Sequence, residues 1–183
     1  MRIVVSGTHA SGKSTLISDF AARHPEFAVL PDPYEVIDEE WDGPSAAMFA
    51  AQLRVAADRL TSGEFGPRLI AERGPLDFLA YLMALDDRMG ASLAPDFLER
   101  SRMITAKALS HVDLLAVLPL TTVDGIAPGA DEHLELRDAM DEILLELIDD
   151  PDLVGARART VEIVGTRSER LSALEAHVGE ARR

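Results

Sequence analysis

Residues 7 to 14 of the 183-residue chain read Gly7-Thr8-His9-Ala10-Ser11-Gly12-Lys13-Ser14, an order of residue types suited to gripping a polyphosphate. The run fits G-x-x-x-x-G-K-[ST]. Its glycines let the backbone curl so that several N–H groups point inward at a β-phosphate. Lys13 can then reach the β and γ oxygens, and Ser14 offers a hydroxyl to Mg²⁺. The residues expected to hold a nucleotide in this way are Gly7, His9, Ala10, Ser11, Gly12, Lys13, Ser14 and Thr15, with His9 a variable position of the loop.

Such a loop works only between a buried strand and the first turn of a helix, and the flanks supply both. Arg2 to Ser6 is a short β-branched run of the kind buried on both faces. From Lys13 to about Arg23, Leu16, Ile17, Phe20 and Ala21 recur at helical spacing. Further on, Phe27 to Leu30, Arg68 to Glu72, Val112 to Leu118 and Thr160 to Val164 read as strands. Helices are predicted from Ser45 as N-cap to about Leu60, from Pro75 toward Gly90, from Pro95 to Leu109, from about Glu132 to Ile148, and from Arg167 to Val178. Strands alternating with helices, with no repeat or linker, predict one α/β domain over residues 1–183. The expected architecture is a P-loop NTPase three-layer sandwich of about five parallel strands with helices on both faces. The helical segment at about 44–62 is a candidate small lobe.

Lys and Arg number 18 and Asp and Glu 32, a formal charge of −14. That charge is a poor match to a nucleic-acid backbone or an anionic membrane, so neither is expected as a partner. The longest apolar run, around Leu114 to Leu118, is far short of the roughly 20 residues of a membrane span. Met1-Arg2 leads into a strand without a signal-peptide core, so the default expectation is a cytoplasmic protein. The absence of cysteine removes disulfides and thiolate metal sites. Lys107, the second of two lysines, stands in T-A-K-A-L, so the N-K-x-D segment that reads guanine is missing. Nor is there an L-S-G-G-Q transporter signature, and the chain is too short for a hexameric motor with a helical lid domain. Small-molecule kinases are left as the leading class.

Four segments in order carry a resemblance that spans nearly the whole chain. They are G-T-H-A-S-G-K-S-T, L-P-D-P-Y after the second strand, A-E-R-G-P-L-D after the third, and L-P-L-T-T-V-D-G before the later helices. Together they resemble the nicotinamide-riboside-kinase-like P-loop family, often labelled "AAA domain" and related to deoxynucleoside and thymidylate kinases. The resemblance implies an ATP- and Mg²⁺-dependent phosphotransferase acting on a small-molecule acceptor. It places Asp32 beside the acceptor hydroxyl as the base, with Glu35 as reserve. Glu72 takes the place of the acid that holds Mg²⁺ with Ser14, and Arg73 is placed to contact phosphate or acceptor. Gly165-Thr166-Arg167 falls where the adenine lies, so Gly165 and Arg167 are expected to contact the nucleotide. Asp77 reads first as a helix N-terminal acid and second as an acceptor contact.

One departure concerns the lid, for which Thr121 to His133 is the candidate. In the family an arginine often follows the D-G pair by two, but Asp124-Gly125 is followed by Ile126, Ala127 and Pro128. Arg137 is the nearest replacement as a catalytic cation, with Arg102 behind it. The acidic stretch Glu35, Asp38, Glu39, Glu40 and Asp42 would border the acceptor pocket and disfavour an already phosphorylated substrate. Tyr34 and Trp41 in the same loop are placed to stack on a planar ring. The rim favours a nucleoside-like acceptor, within the expected class of a nucleoside or nucleotide. A sugar, amino-sugar or specialised metabolite, a non-catalytic ATP-binding regulator, and a homodimer all stay open.

Overall fold

The computed structural model of the chain describes residues 1–37, 43–120 and 133–180. Five strands, β1 (Arg2–Ser6), β2 (Ala28–Leu30), β3 (Leu69–Glu72), β4 (Leu114–Val117) and β5 (Arg159–Glu162), form one sheet in the order β2-β3-β1-β4-β5. Every pairing is parallel, with Val5 opposite Glu72 on one side and Ala116 on the other. The helices are α1 (Lys13–Arg23), α2 (Ala46–Thr61), α3 (Pro75–Asp87), α4 (Pro95–Leu109), α5 (Leu134–Leu147), α6 (Pro151–Val154) and α7 (Arg167–Glu180).

The strands read as uninterrupted apolar runs because the sheet is covered on both faces. Successive side chains alternate between two cores. Val4, Leu69, Ala71, Leu115 and Val117 face α2, α3 and α5, whereas Ile3, Val5, Ile70, Leu114 and Ala116 face α1 and α7. Helix α3 is apolar nearly all round, which is the pattern of an enclosed helix, and it packs against α2, α4 and α5. Ser45 caps α2 by accepting from the Met48 amide at 3.2 Å, as its position in the sequence predicts.

The departures from the sequence reading lie at element ends. Strand β2 begins at Ala28, because the Phe27 amide is taken by the His24 carbonyl at 3.0 Å and the ladder to β3 starts one residue later; the Phe27 ring packs edge-on to Phe20 at 5.2 Å. Strand β5 spans Arg159–Glu162, earlier than Thr160 to Val164, since its ladder follows β4 and ends with Val117 opposite Glu162. Helix α6 was not foreseen; Asp150 caps it through the Asp152 amide at 2.9 Å, and Pro151 opens it. The expected start of α5 at Glu132 lies outside the described residues. No helix among the described residues is long and apolar enough to cross a membrane. Parallel pairing sends the chain out of β1, β2 and β3 at the same, carboxyl edge of the sheet, which is where open α/β sheets bind ligands.

Candidate active site

The loop between β1 and α1 has the backbone its glycines permit. Gly7 has φ +148°, and a Cβ there would lie 2.7 Å from the Leu118 carbonyl oxygen and 2.8 Å from Ser11 Oγ, so only glycine fits. Gly12, the N-cap of α1, has φ +91°, and Ala10 between them also lies in the left-handed region at φ +53°. Lys13 is folded into this loop, 4% exposed, and its Nζ donates to the Thr8 carbonyl at 2.6 Å. Burial, then the like charge of Arg73, pulls its ammonium down to about 7.

Ser14 Oγ donates to Glu72 Oε1 at 2.7 Å, joining α1 to the end of β3. The next residue, Arg73, has φ +60°, a sparsely populated conformation for a side chain of this size. Its amide is held by the Val5 carbonyl at 3.0 Å. At this bend consecutive side chains part company: Glu72 goes to Ser14, and Arg73 goes to Asp32, with Nε 3.4 Å from Oδ2. Asp32 serves two purposes, because its Oδ1 also accepts from the Tyr34 amide at 3.0 Å and caps the turn Pro33–Glu35. Glu35 is exposed on that turn.

Three further side chains adjoin the site and a fourth lies one helical turn from them, none of them among the expected site residues. Tyr81 of α3 is 1% exposed, shares a hydrogen bond with Thr8 Oγ1 at 3.1 Å, and stacks on Phe49 of α2 at 4.5 Å and 6°. The Arg73 guanidinium lies over the Tyr81 ring at 5.6 Å. One turn along α2 from Phe49, Gln52 is 1% exposed and makes no hydrogen bond among the described residues. Arg59 on the same helix donates to the Pro31 carbonyl at 2.7 Å, beside Asp32.

On the other flank, Arg137 of α5 donates from Nε to the His9 carbonyl at 3.0 Å, so the expected lid cation is docked on the phosphate loop. Arg102, the second candidate, pairs with Asp150 at 2.6 Å, between α4 and α6. The His9 ring, 6.0 Å from that of Tyr81, is held neutral. Desolvation, followed by the charges of Arg73 and Lys13, lowers its pKa to about 4. Arg167 forms a two-pronged pair with Asp19, both distances 2.6 Å. A groove of about 540 Å³ beside them is lined by Asp19, Ala22, Arg23, Thr166, Arg167 and Ser168, among others. Arg170 of α7 is buried and ties the Gly165 carbonyl at 2.9 Å to the Ser11 carbonyl at 2.7 Å. The stretch 121–132, with Asp124-Gly125, and residues 38–42, with Trp41, lie outside the described residues.

Among the described residues no group of three or more His, Asp or Glu side chains is arranged to hold a metal alone. The Ser14 hydroxyl and Glu72 carboxylate suit a divalent ion that completes its shell with phosphate oxygens and water, as Mg²⁺ does. Asp77 has a place the sequence did not disclose. It is 0% exposed and accepts from the Gly7 amide at 2.8 Å, the Gly74 amide at 2.9 Å and Ser6 Oγ at 2.7 Å. Its signals in the sequence are its first-turn position and its place in the apolar stretch from Leu76 to Leu85.

No family model matches the chain, and no curated protein does. Solved structures do. A thymidylate kinase from Candida albicans is 18% identical with a TM-score of 0.70, covering 99% of this chain and 92% of that one. A deoxyadenosine kinase from M. mycoides with bound dATP is 13% identical with a TM-score of 0.66, covering 98% of this chain and all of that one. The same enzyme with its products dCMP and dCDP bound is 14% identical, with a TM-score of 0.69. At these identities the likeness is one of fold, that of P-loop nucleoside and nucleotide kinases.

Proposed function

We propose that the chain is a kinase that moves the γ-phosphoryl group of ATP, with Mg²⁺, to a hydroxyl of a small acceptor, a nucleoside or nucleotide. The observation that carries this reading is the parting of Glu72 and Arg73. One residue faces the Ser14 hydroxyl of a phosphate loop and its neighbour faces a second carboxylate, Asp32, across a site closed by aromatic side chains. A phosphate-binding protein that only senses a nucleotide has no need of the second half.

In this reading the loop amides and Lys13 hold the phosphates, and the Lys13 ammonium exchanges the Thr8 carbonyl for phosphate oxygens. Ser14 and Glu72 would hold Mg²⁺, which when bound neutralises charge on the phosphates. Asp32 orients the acceptor hydroxyl. As the acceptor oxygen bonds to the γ-phosphorus and the bond to the β-phosphate oxygen breaks, the hydroxyl proton passes to Asp32 and ADP leaves. Arg73 and Arg137 face the charge that spreads over the transferring group. Gly165 and Arg167, beside the groove between α1 and α7, would receive the adenine. The stacked Phe49 and Tyr81, with the buried Gln52 amide one turn on, support a planar, hydrogen-bonding acceptor such as a nucleobase.

The test is ADP release from Mg-ATP against nucleosides, nucleoside monophosphates, nicotinamide riboside, sugars and amino-sugars, with Lys13→Ala and Asp32→Asn beside the parent. Release that depends on a nucleoside or nucleotide and is lost in both variants is expected. Release with a sugar alone moves the chain to another acceptor class. Tight Mg-ATP binding without release for any acceptor makes it a nucleotide-binding regulator.

A further inference from the structure

Asp77 is a buried carboxylate with no part in the steps above, yet it lies at the junction of the site's two halves. Its Oδ1 accepts from the amide of Gly7, the first residue of the phosphate loop, and its Oδ2 from the amide of Gly74, directly after Arg73. Ser6 Oγ, at the end of β1, supplies a third bond. Burial pushes the Asp77 carboxyl upward, and the bonds from Gly7 and Gly74, the charge of Arg73 and the Ser6 bond oppose this. A carboxylate that only capped α3 would need the Gly74 amide and nothing from a loop 70 residues away.

We infer that Asp77 is a positioning residue that fixes the phosphate loop against the Glu72-Arg73-Gly74 turn, so that one side chain sets the spacing between the nucleotide half and the acceptor half of the site. The inference rests on the kinase reading. Strand pairing alone brings β1 and β3 together but ends at Val5 and Glu72, before either functional loop begins. Beyond that point the Arg73 amide on the Val5 carbonyl, the Ser14–Glu72 bond and the Asp77 bonds join them, and of these the Asp77 bonds alone hold both Gly7 and Gly74 through one side chain. Because each bond to Asp77 ends on a backbone amide or the β1 terminus, the carboxylate acts on loop position and touches neither substrate.

Asp77→Asn keeps the volume but turns an amide donor toward one of the N–H groups the carboxylate now accepts from. Ser6→Ala removes the hydroxyl alone and leaves both amide bonds. Three quantities are read on each protein: secondary structure by circular dichroism, the ¹⁵N–¹H resonances of Gly7 and Gly74, and the Kd for Mg-ATP by calorimetry. Asp77→Asn should stay folded, move both glycine resonances and weaken Mg-ATP about tenfold, the scale of one charged hydrogen bond. Ser6→Ala should stay within about twofold on the same scale. If Asp77→Asn does not fold, Asp77→Ser is read in the same way, since its hydroxyl can still serve one amide. A folded variant that binds Mg-ATP like the parent, however much its melting temperature falls, leaves Asp77 a structural residue and overturns the inference. A parent that binds no Mg-ATP overturns the kinase reading and the inference with it.

Discussion

Mg-ATP should bind with uptake of a proton, and Lys13 is the group that takes it. In the nucleotide-free chain burial and Arg73 hold its ammonium down to about 7. At pH 8 it is therefore roughly one-tenth protonated. The phosphates of a bound nucleotide put negative charge at Nζ and restore a value near the ordinary 10.4 or so. Uptake is then about 0.9 proton at pH 8 and only about 0.1 at pH 6, and above pH 7 the affinity falls by close to tenfold per unit. The stability of the free chain has the matching sign. The folded-state pKa is depressed, so the unfolded chain binds more protons between about 7 and 10.4, and stability rises with pH across that window. Calorimetry of Mg-ATP binding at fixed pH, in two buffers of different ionisation enthalpy, gives the proton count directly. His9, lowered to about 4, would add uptake on the acid side and so bend the profile the opposite way. Lys13→Arg, whose charge is permanent, should abolish the rise. A parent whose count stays near zero at pH 8 would show that Lys13 is already charged in the free loop, and the electrostatic argument would fail.

Asp32→Asn should bind Mg-ATP within about twofold of the parent, yet release acceptor-dependent ADP at least about 100-fold more slowly, as expected for loss of a general base, and coupled ADP detection reads it. Tyr81→Phe keeps the stack on Phe49 and loses the bond to Thr8, so urea unfolding should show about 1 kcal/mol lost, against about 3–5 kcal/mol for Tyr81→Ala. Ser14→Ala and Glu72→Gln should each raise the Mg²⁺ concentration needed for half-maximal activity. The double variant should fall well short of the combined effect, because the two groups share one hydrogen bond.

The sequence displays this site wherever one segment holds both a motif and its support. The strand from Arg2 to Ser6, the loop to Ser14 and the helix to Arg23 follow from apolar spacing and from glycines whose conformations the loop requires. Glu72 and Arg73 stand out through the resemblance of the segment that ends the third strand, although nothing local announces that they turn to different partners. Asp77 reads correctly as a first-turn acid of α3, but its bonds to Ser6 and Gly7 depend on β1 lying beside β3, a pairing no short window contains. Arg170 and Gln52 are similar cases, polar residues on helix faces that become informative only once those faces are known to be covered. Arg102 shows the reverse, since a spare cation in sequence is matched in space by Asp150, at the start of a one-turn helix that carries no periodic signal.

Asp77 and Arg170, besides Arg137 at His9, grip the phosphate loop from opposite faces of the sheet. Asp77 comes from α3 on the face shared with α2 and α5, and Arg170 from α7 on the face shared with α1. The residues proposed to read an acceptor, Phe49, Gln52 and Tyr81, all belong to the first face, and those beside the groove proposed for the adenine belong to the second. In the proposed reading, acceptor preference can drift through substitutions on α2, which carries none of these bonds to the phosphate loop, whereas α3 holds Asp77 and Tyr81, both bonded to it. A laboratory library aimed at acceptor choice should therefore be confined to α2, with Asp77 and Tyr81 left unvaried.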